Sequence, residues 1–263
     1  MVATPSPELR TLARIAHRAG AIVMRHYEEG APARKKSDQS PVTDADEEAE
    51  AFILAELEKD FTGIAVVAEE EVAAGRLPKI GRRFFLVDPL DGTKEFVSRN
   101  GEFTVNIAEI ESGTAVRGVV YAPAKDRLFV GETPGGAFEI ATRVDAMPDF
   151  DRMRPISVRA APQDGLIAVA SRSHRDKKTD EYLAHYPVKD FITAGSSLKF
   201  CLVAAGEADI YPRHGRTMEW DTAAGHAVLA AAGGSVKQLD GSPFIYGKSA
   251  DDFANPFFVA RGG

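Results

Sequence analysis

One cysteine in 263 residues excludes a disulfide framework. Cys201 stands in Leu198-Lys199-Phe200-Cys201-Leu202-Val203-Ala204, which reads as a buried helix, so a core thiol in a reducing compartment is expected. Long apolar runs are lacking too. No segment approaches the roughly 18 residues of a membrane span, and Met1-Val2-Ala3-Thr4-Pro5 does not open a signal peptide. The expectation is a cytoplasmic protein without a transmembrane segment. Positive charge is scarce: the formal net charge of −7 disfavours non-specific nucleic-acid binding, which depends on clustered Lys and Arg. None of the six histidines has a His-x-x-x-His or similar partner, which argues against zinc. Internal repeats and low-complexity tracts are also missing. An acidic chain can still take a polyanionic small molecule through metal ions.

The length allows one large α/β domain or two modest ones with ample core. Pro5-Ser6-Pro7 precedes a first helix over 7–28, which Gly30-Ala31-Pro32 ends. Arg10, Arg14 and Arg18 lie four apart on it, opposite Leu9, Leu12, Ala16, Ala19 and Val23. That stripe suits either peripheral contact with an anionic membrane face or a solvated basic face over a core-packed helix, and amphipathic helices in general favour the second. After the polar loop from Lys35 to Pro41, Thr43 is a credible N-cap for a second helix with Asp46 and Glu47 in its first turn. A short strand, Ile64 to Val67, delivers Glu69, Glu70 and Glu71. Beyond Gly101, the stretches 104–108, 115–121 and 127–131 read as a meander of strands. Composition shifts near 145–149, so the expected division is an α+β unit over 1–147 and an α/β unit over 148–263. In the second, 167–170 and 191–192 suit strands, 195–206 and 221–232 suit helices, and Gly233-Gly234 closes the last.

Asp88-Pro89-Leu90-Asp91-Gly92-Thr93 follows the apolar run Phe84-Phe85-Leu86-Val87. The run suits a buried strand. Pro89, with no N–H to donate, is expected to stop it and leave Asp88 at its mouth. Gly92 and Thr93 then lead into a helix whose first N–H groups lack partners, a setting that accepts phosphate. Glu69 and Asp221 sit at comparable places, a strand end and a helix start, where open α/β folds assemble sites. Both also have plain explanations: Glu69 as one of three solvated acids, Asp221 as an N-cap for Thr222-Ala223-Ala224-Gly225.

If all four acids converge, their charges conflict. Two carboxylates about 4 Å apart repel by roughly 4 kcal/mol at an effective dielectric of 20. Divalent cations resolve this, and an all-oxygen donor set suits Mg²⁺ over Zn²⁺. Amides on a phosphate and metals on its oxygens would prepare it for attack by water. A Thr93 hydroxyl bonded to a further acid would orient that water. Asp46 is a candidate for that acid, although an Asp in a first helical turn usually serves the helix dipole.

Asp88-Pro89-Leu90-Asp91-Gly92-Thr93, Trp220-Asp221-Thr222-Ala223-Ala224-Gly225 and the Glu69-Glu70 pair, in this order, resemble the inositol monophosphatase superfamily of Mg²⁺-dependent, lithium-sensitive phosphatases. Lys36-Ser37-Asp38 through Pro41-Val42-Thr43 and Asp46 resembles its N-terminal motif, so the similarity spans nearly the whole chain. Lys94-Glu95-Phe96, Arg99-Asn100-Gly101-Glu102-Phe103-Thr104 and Gly195-Ser196-Ser197-Leu198-Lys199 resemble the bacterial 3′(2′),5′-bisphosphate nucleotidase branch. The resemblance implies a layered αβαβα sandwich. It implies hydrolysis of adenosine 3′,5′-bisphosphate to AMP and phosphate in sulfate assimilation, with two or three Mg²⁺ ions, by a monomer or homodimer. It also implies Glu69, Asp88, the Leu90 carbonyl, Asp91 and Asp221 as metal ligands, with Asp46 and Thr93 activating water. Ser171, His174, Gly195 and Lys199 match nucleotide-contacting positions, beside Gly92 and Thr93 at the phosphate, and Lys199 suits a retained 5′-phosphate. A core-facing or capping role fits Ser171 and His174 equally well. Ala68 stands where relatives carry Ser or Gly, with no functional effect expected.

The rivals differ in chemistry. A haloacid-dehalogenase-type phosphatase spaces its two acids i and i+2, whereas Asp88 and Asp91 are i and i+3. An inositol or sugar monophosphatase of the same superfamily is the nearer alternative. A non-catalytic phosphometabolite sensor would not need the Asp46 and Thr93 pair.

Overall fold

Alternate side chains of Phe84, Phe85, Leu86 and Val87 enter two different cores, Phe84 and Leu86 on one side, Phe85 and Val87 on the other. A strand that is apolar on both faces must be covered on both faces, and that fact organises the molecule. The computed structural model describes residues 4–30, 34–35, 41–171, 177–248 and 253–263.

The first helix, α1 (Pro7–Glu29), starts at Ser6, whose hydroxyl accepts the Leu9 N–H, and stops at Gly30 in the left-handed conformation. The short β1 (Arg34–Lys35) and β2 (Pro41–Val42) pair antiparallel. Thr43 then caps α2 (Asp44–Asp60) in a capping box with Asp46. β3 (Ala65–Ala68) runs directly into α3 (Glu69–Ala73), and β4 (Arg83–Asp91) into α4 (Thr93–Val97). The meander is β5 (Thr104–Glu111), β6 (Thr114–Ala122), β7 (Arg127–Glu132), β8 (Gly136–Ala141) and β9 (Arg154–Ile156). The remainder alternates: β10 (Leu166–Ser171), α5 (Lys177–Leu183), β11 (Val188–Ala194), α6 (Leu198–Ala204), β12 (Ile210–Arg213) and α7 (Glu219–Ala231). β13 (Ser235–Gln238) and β14 (Phe258–Arg261) end the chain.

Strands β3 to β9 form one seven-stranded sheet in sequence order, antiparallel except for the parallel β3–β4 pair. The other sheet has the order β11-β10-β12-β14-β13. Leu9, Leu12 and Ile15 of α1 and Ile53 of α2 cover the outer face of the large sheet against Phe85, Val87, Val105 and Tyr121. Its inner face packs Leu86, Ile110, Val120 and Phe129 on Phe200, Ala224, Ala227 and Val228 of α6 and α7, and Tyr211 and Phe258 of the second sheet join the same core. Leu183 of α5 closes the far side over Ala168, Ile210 and Val259. The result is the layered αβαβα sandwich. Burying each such Leu, Phe or Val contributes roughly 2 kcal/mol. α7 lies unusually near the sheet: a Cβ at Gly118 would stand 2.3 Å from the Ala224 carbonyl oxygen, so only glycine fits there.

Several boundaries differ from expectation. β4 does not stop at Pro89 but continues to Asp91 through a register shift between Asp88 and Asp91, so the ladder never asks Pro89 for an N–H. α6 begins at Leu198, not at 195, because Ser196 adopts a positive φ of 53°. α7 begins at Glu219, which makes Asp221 its third residue and not its N-cap. β1, β2, α3, β8, β9, α5, β12, β13 and β14 were not expected. The large sheet extends to β9, past residue 147.

The basic stripe of α1 is engaged within the chain. Arg10 and Arg14 each lie 5.3 Å from the Phe150 ring centre, and Arg18 bonds Glu56 and stacks on Phe52. Among the described residues no helix is long and apolar enough to cross a membrane. Burial pushes the Cys201 thiol up, in keeping with a core thiol.

Candidate active site

Glu69, Asp88, Leu90, Asp91, Gly92, Thr93, Lys199 and Asp221 line one cavity of about 250 Å³ between the two sheets and α7. Each arrives from a different local device. Glu69 opens α3 at the end of β3. Asp88 and Asp91 flank the irregularity of β4, and Asp88 Oδ1 accepts the Leu90 N–H at 3.0 Å. Asp221 sits in the first turn of α7, where its Oδ2 accepts the Met218 N–H at 2.8 Å. Asp91 Oδ2 accepts the Ser197 N–H at 2.6 Å and the Asn106 amide at 3.4 Å.

These acids feel one another. Burial, then the charges of Glu69, Asp91 and Asp221, push the Asp88 carboxyl well above the usual carboxylate range. Burial, then Asp91 and Glu69, do the same to Asp221. Burial also raises Asp91, with the Lys199 ammonium and the Ser197 N–H pulling the other way. Among the described residues no three His, Cys, Asp or Glu side chains form a ready-made cage for one ion. What points to a cation is the mutual repulsion of acids gathered around one cavity, whose carboxylate oxygens are hard donors. The residues present fit a hard divalent ion.

Thr93 and Asp46 meet. The Thr93 hydroxyl donates to Asp46 Oδ1 at 3.3 Å, while Asp46 Oδ2 accepts the Thr43 N–H at 2.8 Å and the Thr43 hydroxyl at 2.7 Å. Asp46 is therefore both the capping-box acid of α2 and the hydrogen-bond partner of Thr93. Gly92 has φ 94°, and a Cβ there would lie 2.2 Å from the Ser196 hydroxyl. That hydroxyl lies 2.7 Å from the carbonyl oxygens of both Asp91 and Glu102 and shares its one proton between them.

Gly195 does not line the cavity. It packs on Glu102 so closely that a Cβ would stand 2.5 Å from the Glu102 carbonyl oxygen. Lys199 is 5% exposed and donates to the Ser196 carbonyl at 2.5 Å. Burial lowers its ammonium to about 8, with Asp91 opposing. His174, Lys36, Ser37, Asp38 and the Ser171 side chain lie outside the described residues.

Sequence reasoning missed several residues here. Arg213 and Arg216 line the same cavity, and among the described residues the buried Arg213 Nε has no hydrogen-bond partner. Their signal was positional, since Tyr211-Pro212-Arg213 ends a strand just before the Asp221 helix. Ser197 ties the two halves: its N–H holds Asp91, and its hydroxyl donates to the Asp221 carbonyl at 2.6 Å. Behind Glu69, Glu50 of α2 accepts the N–H groups of Glu70 and Glu71, both at 2.8 Å, and burial pushes its carboxyl up to about 8.

The sequence pattern of the inositol monophosphatase family matches residues 5–256. The chain is 43% identical over 253 residues to the 3′(2′),5′-bisphosphate nucleotidase CysQ of Salmonella typhimurium, covering 95% of this chain and 98% of that one. The crystal structure of CysQ from Bacteroides thetaiotaomicron, a bacterial member of that family, superposes with a TM-score of 0.80 at 38% identity, covering 97% of each chain. An IMPase of Thermotoga maritima reaches a TM-score of 0.76 at 26% identity, over 95% of this chain and 90% of that one. The similarity runs through both sheets and all the layers between them, and the chain belongs to the inositol monophosphatase family of phosphatases.

Proposed function

We propose that the protein is a Mg²⁺-dependent phosphatase that hydrolyses adenosine 3′,5′-bisphosphate to AMP and phosphate, clearing a by-product of sulfate assimilation. The observation that carries this reading is the composition of the cavity: its acids share it with four cations, Lys94, Lys199, Arg213 and Arg216. A monophosphate needs only the metal side. A second phosphate gives the cations a partner. The likeness to bisphosphate nucleotidases supports the same substrate class.

In this reading Glu69, Asp88, the Leu90 carbonyl, Asp91 and Asp221 hold two or three Mg²⁺ ions. Bound Mg²⁺ would polarise the phosphate oxygens and make a water more acidic. The Thr93 hydroxyl, its proton committed to Asp46, offers a lone pair to that water and passes the water's proton toward the carboxylate. Gly92 and Thr93 turn backbone N–H groups to the phosphate that leaves. Lys199 takes the retained 5′-phosphate, which would restore the ammonium that burial weakens. Ser171 and His174 are assigned to the nucleotide, and Gly195 serves by holding the Ser196–Ser197 turn against Glu102.

The test is phosphate release from adenosine 3′,5′-bisphosphate, AMP and inositol 1-phosphate, with and without Mg²⁺. Release should require the metal, and the bisphosphate should be favoured in kcat/KM by about 10- to 100-fold, the worth of one charge-assisted contact. Preference for inositol 1-phosphate would select the monophosphatase reading. Binding without turnover would select a sensor.

A further inference from the structure

α3 has five residues, and the residue before it, Ala68, has no side chain able to cap it. A helix so short has little stability of its own, yet its first residue is Glu69. The acceptor it lacks comes from another helix. Glu50, 3% exposed, reaches across from α2 and takes the Glu70 N–H on Oε2 and the Glu71 N–H on Oε1, each at 2.8 Å. These are the second and third N–H groups of α3, those an N-cap normally satisfies. Glu50 also lies four residues after Asp46, hence on the same face of α2. One helix face thereby holds both the partner of Thr93 and the clamp on the start of α3.

We infer that Glu50 is a positioning residue: by clamping α3 it fixes where Glu69 stands in the cavity relative to the Asp46–Thr93 pair, and so sets metal affinity without touching the metal. The inference rests on the metal-site reading above. Its observable signature is a loss of metal affinity that does not track loss of stability. Outer partners of metal ligands commonly contribute 10- to 100-fold in affinity.

The experiment is calorimetric titration of the full chain with Mn²⁺ as probe, alongside melting temperatures, for wild type, Glu50→Gln and Ser6→Ala. Gln keeps one acceptor and sets an amide against the second N–H. Ser6→Ala removes the cap of α1, remote from α3, and reports what destabilisation alone does. Glu50→Gln should weaken Mn²⁺ binding by about tenfold and raise the Mg²⁺ concentration for half-maximal phosphate release by a similar factor, with the maximal rate recovered at high Mg²⁺. Ser6→Ala should leave both unchanged. Should Glu50→Gln fail to fold, Glu50→Asp keeps the charge but shortens the reach, and should weaken Mn²⁺ binding in the same direction. A folded Glu50 variant with wild-type Mn²⁺ affinity overturns the proposal, as does an equal loss in Ser6→Ala. Wild-type protein that neither binds Mn²⁺ nor releases phosphate would remove the metal-site reading itself, and this inference with it.

Discussion

Gly92 shows how tightly single atoms constrain this site. Its φ of 94° disfavours any L side chain, and the Ser196 hydroxyl occupies the space a methyl group would need. Gly92→Ala is expected to cost about 2 kcal/mol or more from backbone strain and overpacking. The melting temperature reads that loss. His226 carries a prediction in pH. Its Nδ1 lies 2.9 Å from the Tyr246 hydroxyl, its ring packs beside Phe244, and burial lowers its pKa to about 4. Above about pH 6.5 the folded and unfolded states both hold it neutral, and its contribution to stability is complete. As pH falls from there toward 4 the unfolded chain takes the proton first and stability is lost. Melting curves between pH 7.5 and 5 should fall more steeply for wild type than for His226→Gln. Equal slopes would show that His226 is not held neutral.

Elements explain what the sequence could and could not reveal. α1 and α2 were legible because Ser6, Thr43 and Gly30 are unambiguous stops and caps. The acids were legible because strand ends and helix starts are marked by Pro, Gly and a change of period. Pro89 misled: in isolation it ends a strand, but an irregularity in the register lets β4 run on to Asp91. Asp221 is the third residue of α7 because the helix begins at Glu219, four residues before its Ala-rich run at Ala223. The start of α6 was hidden because a left-handed serine, Ser196, has no reliable sequence mark. Apart from the Asp46–Thr93 pair, hydrogen bonds between distant elements left no mark in the sequence, those of Ser197 above all. Its hydroxyl links α7 to the turn that holds Asp91. Ser197→Ala removes two buried hydrogen bonds, the one to the Asp221 carbonyl and the one from the Asn106 amide, each worth about 1 kcal/mol. The variant should fold, need more Mg²⁺ for half-maximal phosphate release, and show little change in substrate KM at saturating metal. An unaltered Mg²⁺ requirement would mean that Asp221 is positioned by α7 alone.

At the scale of the molecule, the core between the two sheets is continuous, with side chains from both joined through α6 and α7. That middle layer carries Asp221 on one side of the cavity while β3, α3 and β4 carry Glu69, Asp88 and Asp91 on the other. Folding therefore drives the acids together, at an electrostatic cost that the packing of the layers sustains and that a divalent cation would lift. Melting temperature as a function of Mg²⁺ tests this most directly, in wild type and in Asp88→Asn, whose amide can still accept the Leu90 N–H. Saturation at about 100 times Kd adds roughly 2.7 kcal/mol, which for a chain of this size is a rise of roughly 5 °C or more. Wild type should gain that rise. Asp88→Asn should melt higher than wild type without metal and respond little to Mg²⁺. A wild-type melting temperature indifferent to Mg²⁺, or an Asp88→Asn variant that melts lower without metal, would contradict the claim that these carboxylates form one cation-dependent site.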